Sequence, residues 1–86
     1  MEIRTSTHFT RRYKKLSKEL REKAQVREKI FEENPFDPRL DTHKLHGKDM
    51  GRWAYSIDYE YRIKFVFLNG DKVLYTDIGT HDELYR

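Results

Sequence analysis

The spacing of apolar residues changes near the middle of this chain, and that change limits the fold more than any other feature. Phe9, Tyr13, Leu16, Leu20 and Ala24 recur every three or four residues, which places them on one face of a helix. In the second half, apolar and polar residues alternate, as they do in half-buried strands. This order is typical of a two-layer α+β domain with helices on one face of a sheet.

The first half is predicted to contain a short strand and then a helical region. Glu2–Thr5 alternates and indicates the strand. The helical pattern runs from about residue 7 to about residue 33, as a helical hairpin or one long bent helix. Ser17 is a candidate N-cap for a second helix. Asn34 is followed by Pro35, which disfavours helical backbone at the preceding residue and so ends the region.

The second half is predicted to form three or four antiparallel strands. The link at Tyr59-Glu60 is short and favours a hairpin, and Asn69-Gly70-Asp71 is typical of another tight turn. Gly79 is expected to end the last strand before a short tail of helical character. The predicted strands are a short one at His43–His46, then Trp53–Ile57, Tyr61–Phe67 and Val73–Ile78.

Length and composition exclude several classes of protein. With 86 residues, the chain is expected to be a single domain covering residues 1–86. It has no cysteine, which excludes a disulfide scaffold, a thiolate zinc site and a thiol nucleophile. No apolar run approaches the ~20 residues of a membrane span. The first twelve residues contain no apolar signal segment, so we expect a cytoplasmic protein without a membrane partner.

Positive charge is concentrated in the predicted helical region. The net charge is +3, but residues 11–33 carry nine basic and five acidic groups. Such a segment favours contact with the phosphates of a nucleic acid. The alternative is a solvated helix face with ion pairs such as Lys15–Glu19 and Lys18–Glu22. The candidate phosphate contacts in this region are Arg11, Arg12, Lys14, Lys15 and Lys18.

The histidines and one arginine are candidates for chemistry. His43 and His46 with a distant His81 match a metal site poorly, because a three-residue spacing suits a helix better than an extended segment. We therefore expect no metal and no cofactor. An imidazole at His81, just after a predicted strand, could donate or accept a proton near neutral pH. The alternative is a histidine held by a local hydrogen bond.

Arg62 begins an otherwise apolar strand, where a guanidinium on the open side of the sheet could hold a phosphate. The alternative is an ion pair with Asp58 or Asp77. Together with basic and imidazole groups, such an arginine suits RNA cleavage by an internal 2′-hydroxyl. That reaction needs a base, an acid and cations around the phosphate, and it needs no metal because the substrate supplies the nucleophile.

Four segments resemble the RelE/ParE toxin superfamily of bacterial and archaeal toxin–antitoxin systems, and the resemblance covers essentially the whole chain. The C-terminal segment is the most specific and is similar to the RelE and YafQ branches. The segments are Phe9-Thr-Arg-Arg-Tyr-Lys-Lys-Leu16, His43-Lys-Leu-His-Gly47, Trp53-Ala-Tyr-Ser-Ile-Asp-Tyr-Glu-Tyr-Arg-Ile-Lys-Phe65 and Asp77-Ile-Gly-Thr-His-Asp-Glu-Leu-Tyr85.

The resemblance implies a fold, an activity and partners. The fold is one strand, two helices and an antiparallel set of strands. Members of the RelE and YafQ branches cut mRNA in the ribosomal A site without a metal, and a cognate antitoxin protein blocks them. Members of the ParE branch instead inhibit DNA gyrase without nuclease activity, which is the alternative function. A degenerate toxin that only binds an antitoxin is a third possibility.

The resemblance also assigns residues by position. Arg62 matches the arginine that contacts the scissile phosphate, and His81 matches a C-terminal basic position. Tyr85 matches an aromatic residue that stacks on or orients the substrate. His43 and Glu60 match a histidine and an acidic residue of the YafQ-like branch.

Two departures leave the general base open. Trp53 and Tyr55 stand where RelE has lysines, and Ser56 stands where YafQ-like toxins have a histidine. Glu60 or His43 is then expected as the base, with His81 as the acid. Besides the helical cations, the basic residues expected to contact RNA are Lys44, Lys48, Arg52 and Lys64.

Overall fold

The computed structural model describes residues 1–85 and places two helices on one face of a five-stranded sheet. Short 3-10 turns lie at Pro38–Leu40 and Gly47–Asp49. Within residues 1–85, no helix has the length and apolar character needed to cross a bilayer. In chain order the elements are β1 (Glu2–Thr5), α1 (Thr7–Lys14), α2 (Lys18–Glu33), β2 (His43–Lys44), β3 (Trp53–Ser56), β4 (Tyr61–Leu68), β5 (Lys72–Thr80) and α3 (His81–Leu84).

The strand order in the sheet is β1-β5-β4-β3-β2. Strands β2 to β5 pair antiparallel, which confirms the predicted α+β class and its antiparallel set. The N-terminal strand adds a feature that the pattern of the sequence did not indicate. It pairs parallel with β5, with Glu2 opposite Lys72 and Thr5 opposite Tyr75, so the sheet is mixed.

The helical region is a hairpin of two helices, and its joint is closed by side chains. The Ser17 hydroxyl accepts a hydrogen bond from the backbone N–H of Leu20, which confirms the predicted cap. Arg21 donates to the carbonyl of Leu16 at 2.7 Å, just after α1 ends. Carbonyls at the end of a helix lack an intrahelical partner, so this contact stabilises the joint.

Large aromatic rings form the centre of the core between the helices and the sheet. Phe31 of α2 is fully buried, stacks on Tyr55 at 4.6 Å and meets Phe65 edge-on at 4.9 Å between ring centroids. Rings bury a large area per residue, which suits a small chain with few aliphatic side chains.

The prediction that Gly79 ends the last strand is wrong. Strand β5 continues through Thr80, and Gly79 pairs with Arg62. A Cβ atom at Gly79 would collide with the Arg12 guanidinium and lie 2.9 Å from a carboxylate oxygen of Glu83. Glycine is therefore needed here for a close approach of side chains and not for a break in the strand. The strand predicted at His43–His46 is also shorter, since β2 covers only its first two residues.

The carboxyl group of Glu28 on α2 lies next to a pair of buried tyrosine hydroxyls. The hydroxyls of Tyr55 and Tyr75 hydrogen-bond to each other at 2.8 Å, and burial raises the pKa of both. Burial also raises the pKa of Glu28 above its ordinary value of 4.5, and a hydrogen bond with Tyr75 opposes the shift. The folded chain thus holds the Glu28 proton more tightly than the unfolded chain does.

We expect Glu28→Gln to stabilise the protein at neutral pH by up to about 1 kcal/mol, because it removes a partly buried charge and keeps an acceptor. The stabilising effect of the Glu28 proton is fully present below pH 4.5 and is lost as pH rises through the higher folded pKa. The variant should therefore gain stability over wild type as pH rises. Urea unfolding across this pH range measures the difference, and a destabilised variant at pH 7 would contradict it.

Candidate active site

The sheet face opposite α1 and α2, here called the open sheet face, carries the predicted chemical groups. Directly paired strand residues share a face, so His43, Ala54 and Lys64 form one row. Arg62 lies on the same face as Lys64, because side chains alternate along β4. Ile63, between them, is buried in the core on the helix side.

Tyr85 joins the two predicted histidines. Its hydroxyl lies 3.2 Å from Nε2 of His43, and its ring meets the His81 ring edge-on at 4.4 Å between centroids. The structure therefore brings together three residues that are up to 42 positions apart in the sequence. The His81 side chain is well exposed and can reach a bound molecule.

Hydrogen bonding fixes the orientation of His43. Its Nδ1 lies 2.8 Å from the carbonyl oxygen of Asp41. A carbonyl only accepts, so Nδ1 carries the proton and donates it to Asp41. In the neutral ring Nε2 then has a free lone pair, which accepts the Tyr85 O–H. The arrangement sets up His43 Nε2 as a proton acceptor facing Tyr85.

The loop between β3 and β4 holds Arg62. The guanidinium donates to the carbonyls of Asp58 and Tyr59, each at 3.2 Å. Within residues 1–85, no carboxylate lies within 4.0 Å of Arg62, so the alternative ion pair with Asp58 or Asp77 is not formed. Burial raises the pKa of Tyr85, and the Arg62 cation is the main opposing influence. Arg62 therefore acts electrostatically on the Tyr85 hydroxyl.

Asp49 is a site residue that sequence reasoning missed. Its carboxylate lies 2.9 Å from Nζ of Lys64 and 3.6 Å from the Arg52 guanidinium. Lys64 is only 7% exposed, so this predicted RNA contact is held in an internal ion pair. In the sequence, Asp49 lies in a short turn. Aspartate is common in turns, so its position there did not indicate an ion pair with a residue of β4.

Hydrogen bonds at its first turn fix α3, which carries His81. Thr80 and Glu83 form a reciprocal capping box. The backbone N–H of His81 also donates to the carbonyl of Glu60 at 3.0 Å. Glu60 is exposed, and its backbone links the β3–β4 loop to α3. The predicted acid and one predicted base thus lie on segments that are directly hydrogen-bonded.

Arg12, predicted as an RNA contact, has partners inside the molecule. Its guanidinium lies 3.0 Å from Asp77 and 3.3 Å from Glu83, and it donates to the carbonyl of Ile78 at 2.7 Å. These contacts connect α1 to the end of β5 and to α3. Arg12 therefore helps to place the segment that carries His81.

The remaining predicted cations are mostly exposed. Within residues 1–85, the ion pairs Lys15–Glu19 and Lys18–Glu22 are not formed, and Glu19 approaches Lys23 instead, at 3.9 Å. Lys44 lies 5.5 Å from the centre of the Trp53 ring. Lys48 lines a groove of about 290 Å³ with Tyr85 and Asp49, beside the histidine cluster. Of the RNA contacts predicted in the helical region, four are exposed, namely Arg11, Lys14, Lys15 and Lys18.

No group of three or more potential metal ligands occurs in the part of the chain that the structure describes. His43 and His46, which the sequence pattern offered as possible ligands, are also engaged differently. His43 contacts Tyr85 and Asp41, whereas His46 is exposed and lines the groove with Lys48.

A scan of protein-family models finds no match to this sequence, and a search of curated protein sequences finds none either. Solved structures match closely in fold. YafQ from E. coli strain BL21(DE3) is 16% identical with a TM-score of 0.81, covering 99% of this chain and 98% of that one. A YoeB/ParE toxin from Agrobacterium tumefaciens is 18% identical with a TM-score of 0.78, covering 94% and 99%.

A further match is a chain of the E. coli DinJ-YafQ toxin–antitoxin complex, 16% identical with a TM-score of 0.79, covering 99% of this chain and 97% of that one. The fold expected from the resemblance to the RelE/ParE superfamily is therefore confirmed. The match to YafQ covers 99% of this chain, so the similarity in fold extends over both helices and the sheet.

We expect Tyr85→Phe to remove the hydrogen bond at Nε2 of His43 without unfolding the protein, because the substitution deletes only the Tyr85 hydroxyl. Nitrogen-15 NMR of the imidazoles should show a shifted Nε2 resonance for His43 and a retained Nδ1 proton. Tyr59→Phe is the matched control, since Tyr59 is 95% exposed. An unchanged His43 spectrum in Tyr85→Phe would contradict the hydrogen bond.

We expect Gly79→Ala to cost about 1–2 kcal/mol of stability, because the added methyl group displaces the Arg12 guanidinium from Glu83 and from the Ile78 carbonyl. The same substitution in an Arg12→Gln background should cost less, since the shorter side chain leaves room. A double-mutant cycle by urea unfolding measures this coupling. Equal costs in the two backgrounds would show that Arg12 does not fill the space beside Gly79.

Proposed function

We propose that this protein is the toxin of a type II toxin–antitoxin system and cleaves mRNA at the ribosome, in the cytoplasm, without a metal. The observation that carries the proposal is the contact of Tyr85 with both His43 and His81, at the open sheet face that also carries Arg62. The fold shared with YafQ and YoeB/ParE toxins supports the toxin class.

In this proposal His43 is the general base. Its Nδ1–H is held by the Asp41 carbonyl, which leaves Nε2 able to take a proton from a 2′-hydroxyl. The Tyr85 hydroxyl holds that lone pair in the free protein, and RNA replaces it on binding. The Tyr85 ring then serves as a stacking surface for a base of the mRNA. Glu60, exposed on the neighbouring loop, is the alternative base.

The attacking 2′-oxygen forms a bond to phosphorus and the bond from phosphorus to the 5′-oxygen breaks, which leaves a cyclic phosphate. His81, as an imidazolium, gives its proton to the departing 5′-oxygen. Arg62 stabilises the extra negative charge on the phosphate, and it can do so because its guanidinium is bound to carbonyls and not to a carboxylate.

The exposed cations Arg11, Lys14, Lys15 and Lys18 supply sequence-independent contacts to ribosomal RNA in this proposal. The same surface suits an acidic antitoxin that covers the helices and the edge of the sheet. A solved neighbour, the DinJ-YafQ complex, is a toxin of this fold bound to its antitoxin.

Translation of a reporter mRNA with the purified protein, followed by primer extension, tests the nuclease proposal. We expect cleavage at discrete positions of the mRNA, and only when ribosomes are present. The cleavage should persist when bound metal has been removed from the protein with EDTA before it is added to the reaction. His81→Ala and Arg62→Ala should each lower the rate by about 100-fold or more, as expected for loss of an acid or a phosphate contact. Lys29→Gln is the control, since Lys29 is exposed on α2, on the opposite side of the sheet. Intact mRNA with folded wild-type protein would overturn the proposal.

The two candidate bases are separated by their pH profiles. If His43 is the base, His43→Ala removes most activity together with the rise of rate that accompanies imidazole deprotonation. Glu60→Gln then retains the wild-type profile. The reverse pattern would assign the base to Glu60.

The second candidate function is gyrase inhibition. A solved neighbour of the chain is a YoeB/ParE toxin, and Trp53, Tyr55 and Ser56 stand where RelE or YafQ-like members carry lysines or histidine. Trp53 lies in an aromatic group with Phe36 and Phe67 on the helix side. A DNA supercoiling assay decides the matter, since inhibition of gyrase together with intact mRNA would favour the ParE-like function.

A further inference from the structure

A cleft of about 290 Å³ opens between α1, α2 and β5, on the side of the sheet away from the candidate active site. Its floor is formed by Ile63 and Tyr75, and its walls by Phe9, Tyr13 and Ala24. The proposed nuclease chemistry uses none of these residues. The volume is sufficient for a short alkyl chain with a polar end.

Three aromatic rings line the cleft in a connected row. Phe9 stacks on Tyr13 at 5.8 Å and meets Tyr75 at 5.2 Å with a tilt of 52° between the ring planes. Phe9 and Tyr75 are only 5% and 2% exposed, so the rings offer the cleft an apolar wall rather than open faces. Such a wall suits the alkyl stem of a ligand.

Among residues 1–85, Glu28 is the one charged side chain that lines this cleft, in a protein with a net charge of +3. Within residues 1–85, no lysine or arginine nitrogen lies within 4.0 Å of its carboxylate. The other polar lining groups include Thr10, whose hydroxyl already donates to the carbonyl of Ser6 at 3.1 Å. Toward the cleft this hydroxyl can therefore only accept a hydrogen bond.

We propose that this cleft binds a primary alkylammonium group, with Glu28 as the counter-ion and Phe9, Tyr13 and Tyr75 around the stem. An ammonium has three donors and no acceptor, which matches a site that offers a carboxylate and hydroxyl oxygens. It also supplies a counter-ion to a partly buried carboxylate that has the Tyr75 hydroxyl as a partner but no cation within residues 1–85. This binding site goes beyond the proposed function and does not depend on it.

Two sources can supply the same chemistry. One is a free polyamine, and the other is a lysine side chain of a partner polypeptide. The n-butylammonium ion tests the chemistry itself, spermidine tests the first source, and Nα-acetyl-lysine N-methylamide tests the second.

The experiment is a titration of the full-length protein with n-butylammonium chloride, followed by two-dimensional NMR. We expect saturable shifts at Thr10, Ala24, Gln25 and Glu28, while sodium chloride and the neutral isostere n-butanol at equal concentration do not reproduce them. Tighter binding of spermidine or of the lysine analogue then identifies the source. Absence of saturable shifts at the cleft, or equal shifts with n-butanol, would overturn the proposal.

Two variants separate specific binding from general attraction to an acidic surface. Glu28→Gln should weaken n-butylammonium binding by roughly tenfold or more, as expected for loss of a desolvated counter-ion. Glu32→Gln is the matched control, because Glu32 lies one turn further along α2 and does not line the cleft. Equal weakening in both variants would contradict the site, and unchanged binding in Glu28→Gln would do the same.

Discussion

The antiparallel pairing of β4 with β5 determines where every other part of this molecule lies. The ladder runs from Tyr61 opposite Thr80 to Leu68 opposite Lys72, with one irregularity after Lys64. Since side chains alternate along each strand, this register sends Ile63 to the core and its neighbours to the open sheet face. It also brings the start of α3 beside the β3–β4 loop. A slip of one residue would bury Arg62 and expose the core.

The periodicity of the sequence was sufficient to predict the elements, because local spacing decides which face of a helix or strand is apolar. It could not predict contacts whose cause lies elsewhere in the chain. Gly79 reads locally as the end of a strand, but its role is to leave room for Arg12, 67 positions away. Asp49 reads as a turn residue, and only the sheet register brings it to Lys64. The parallel position of β1 is likewise set by tertiary packing.

In the candidate site, too, the sequence could identify residues but not the contacts between them. Family resemblance could identify His43, His81 and Tyr85 as residues of interest, but not that the Tyr85 hydroxyl connects to His43 while its ring supports His81. Charge counting also could not separate Arg11 from Arg12. One is exposed, whereas the other turns toward β5 and joins the ion pairs that fix α3. Neighbouring arginines on a helix point about 100° apart, so two residues with the same charge can have different contacts and different roles.

Each face of the sheet holds one buried or partly buried charge, but only the charge on the open sheet face has a counter-ion within the described residues. On the open sheet face, Lys64 is buried and Asp49 compensates its charge. On the helix face, Glu28 is partly buried and has a hydroxyl partner but no cation within the described residues, and its raised pKa reflects that cost. A buried charge without a counter-ion destabilises a fold, whereas a paired one is close to neutral. Glu28 contacts the Tyr75 hydroxyl but no cation within residues 1–85, so a bound ammonium would complete its charge pair as Asp49 completes that of Lys64.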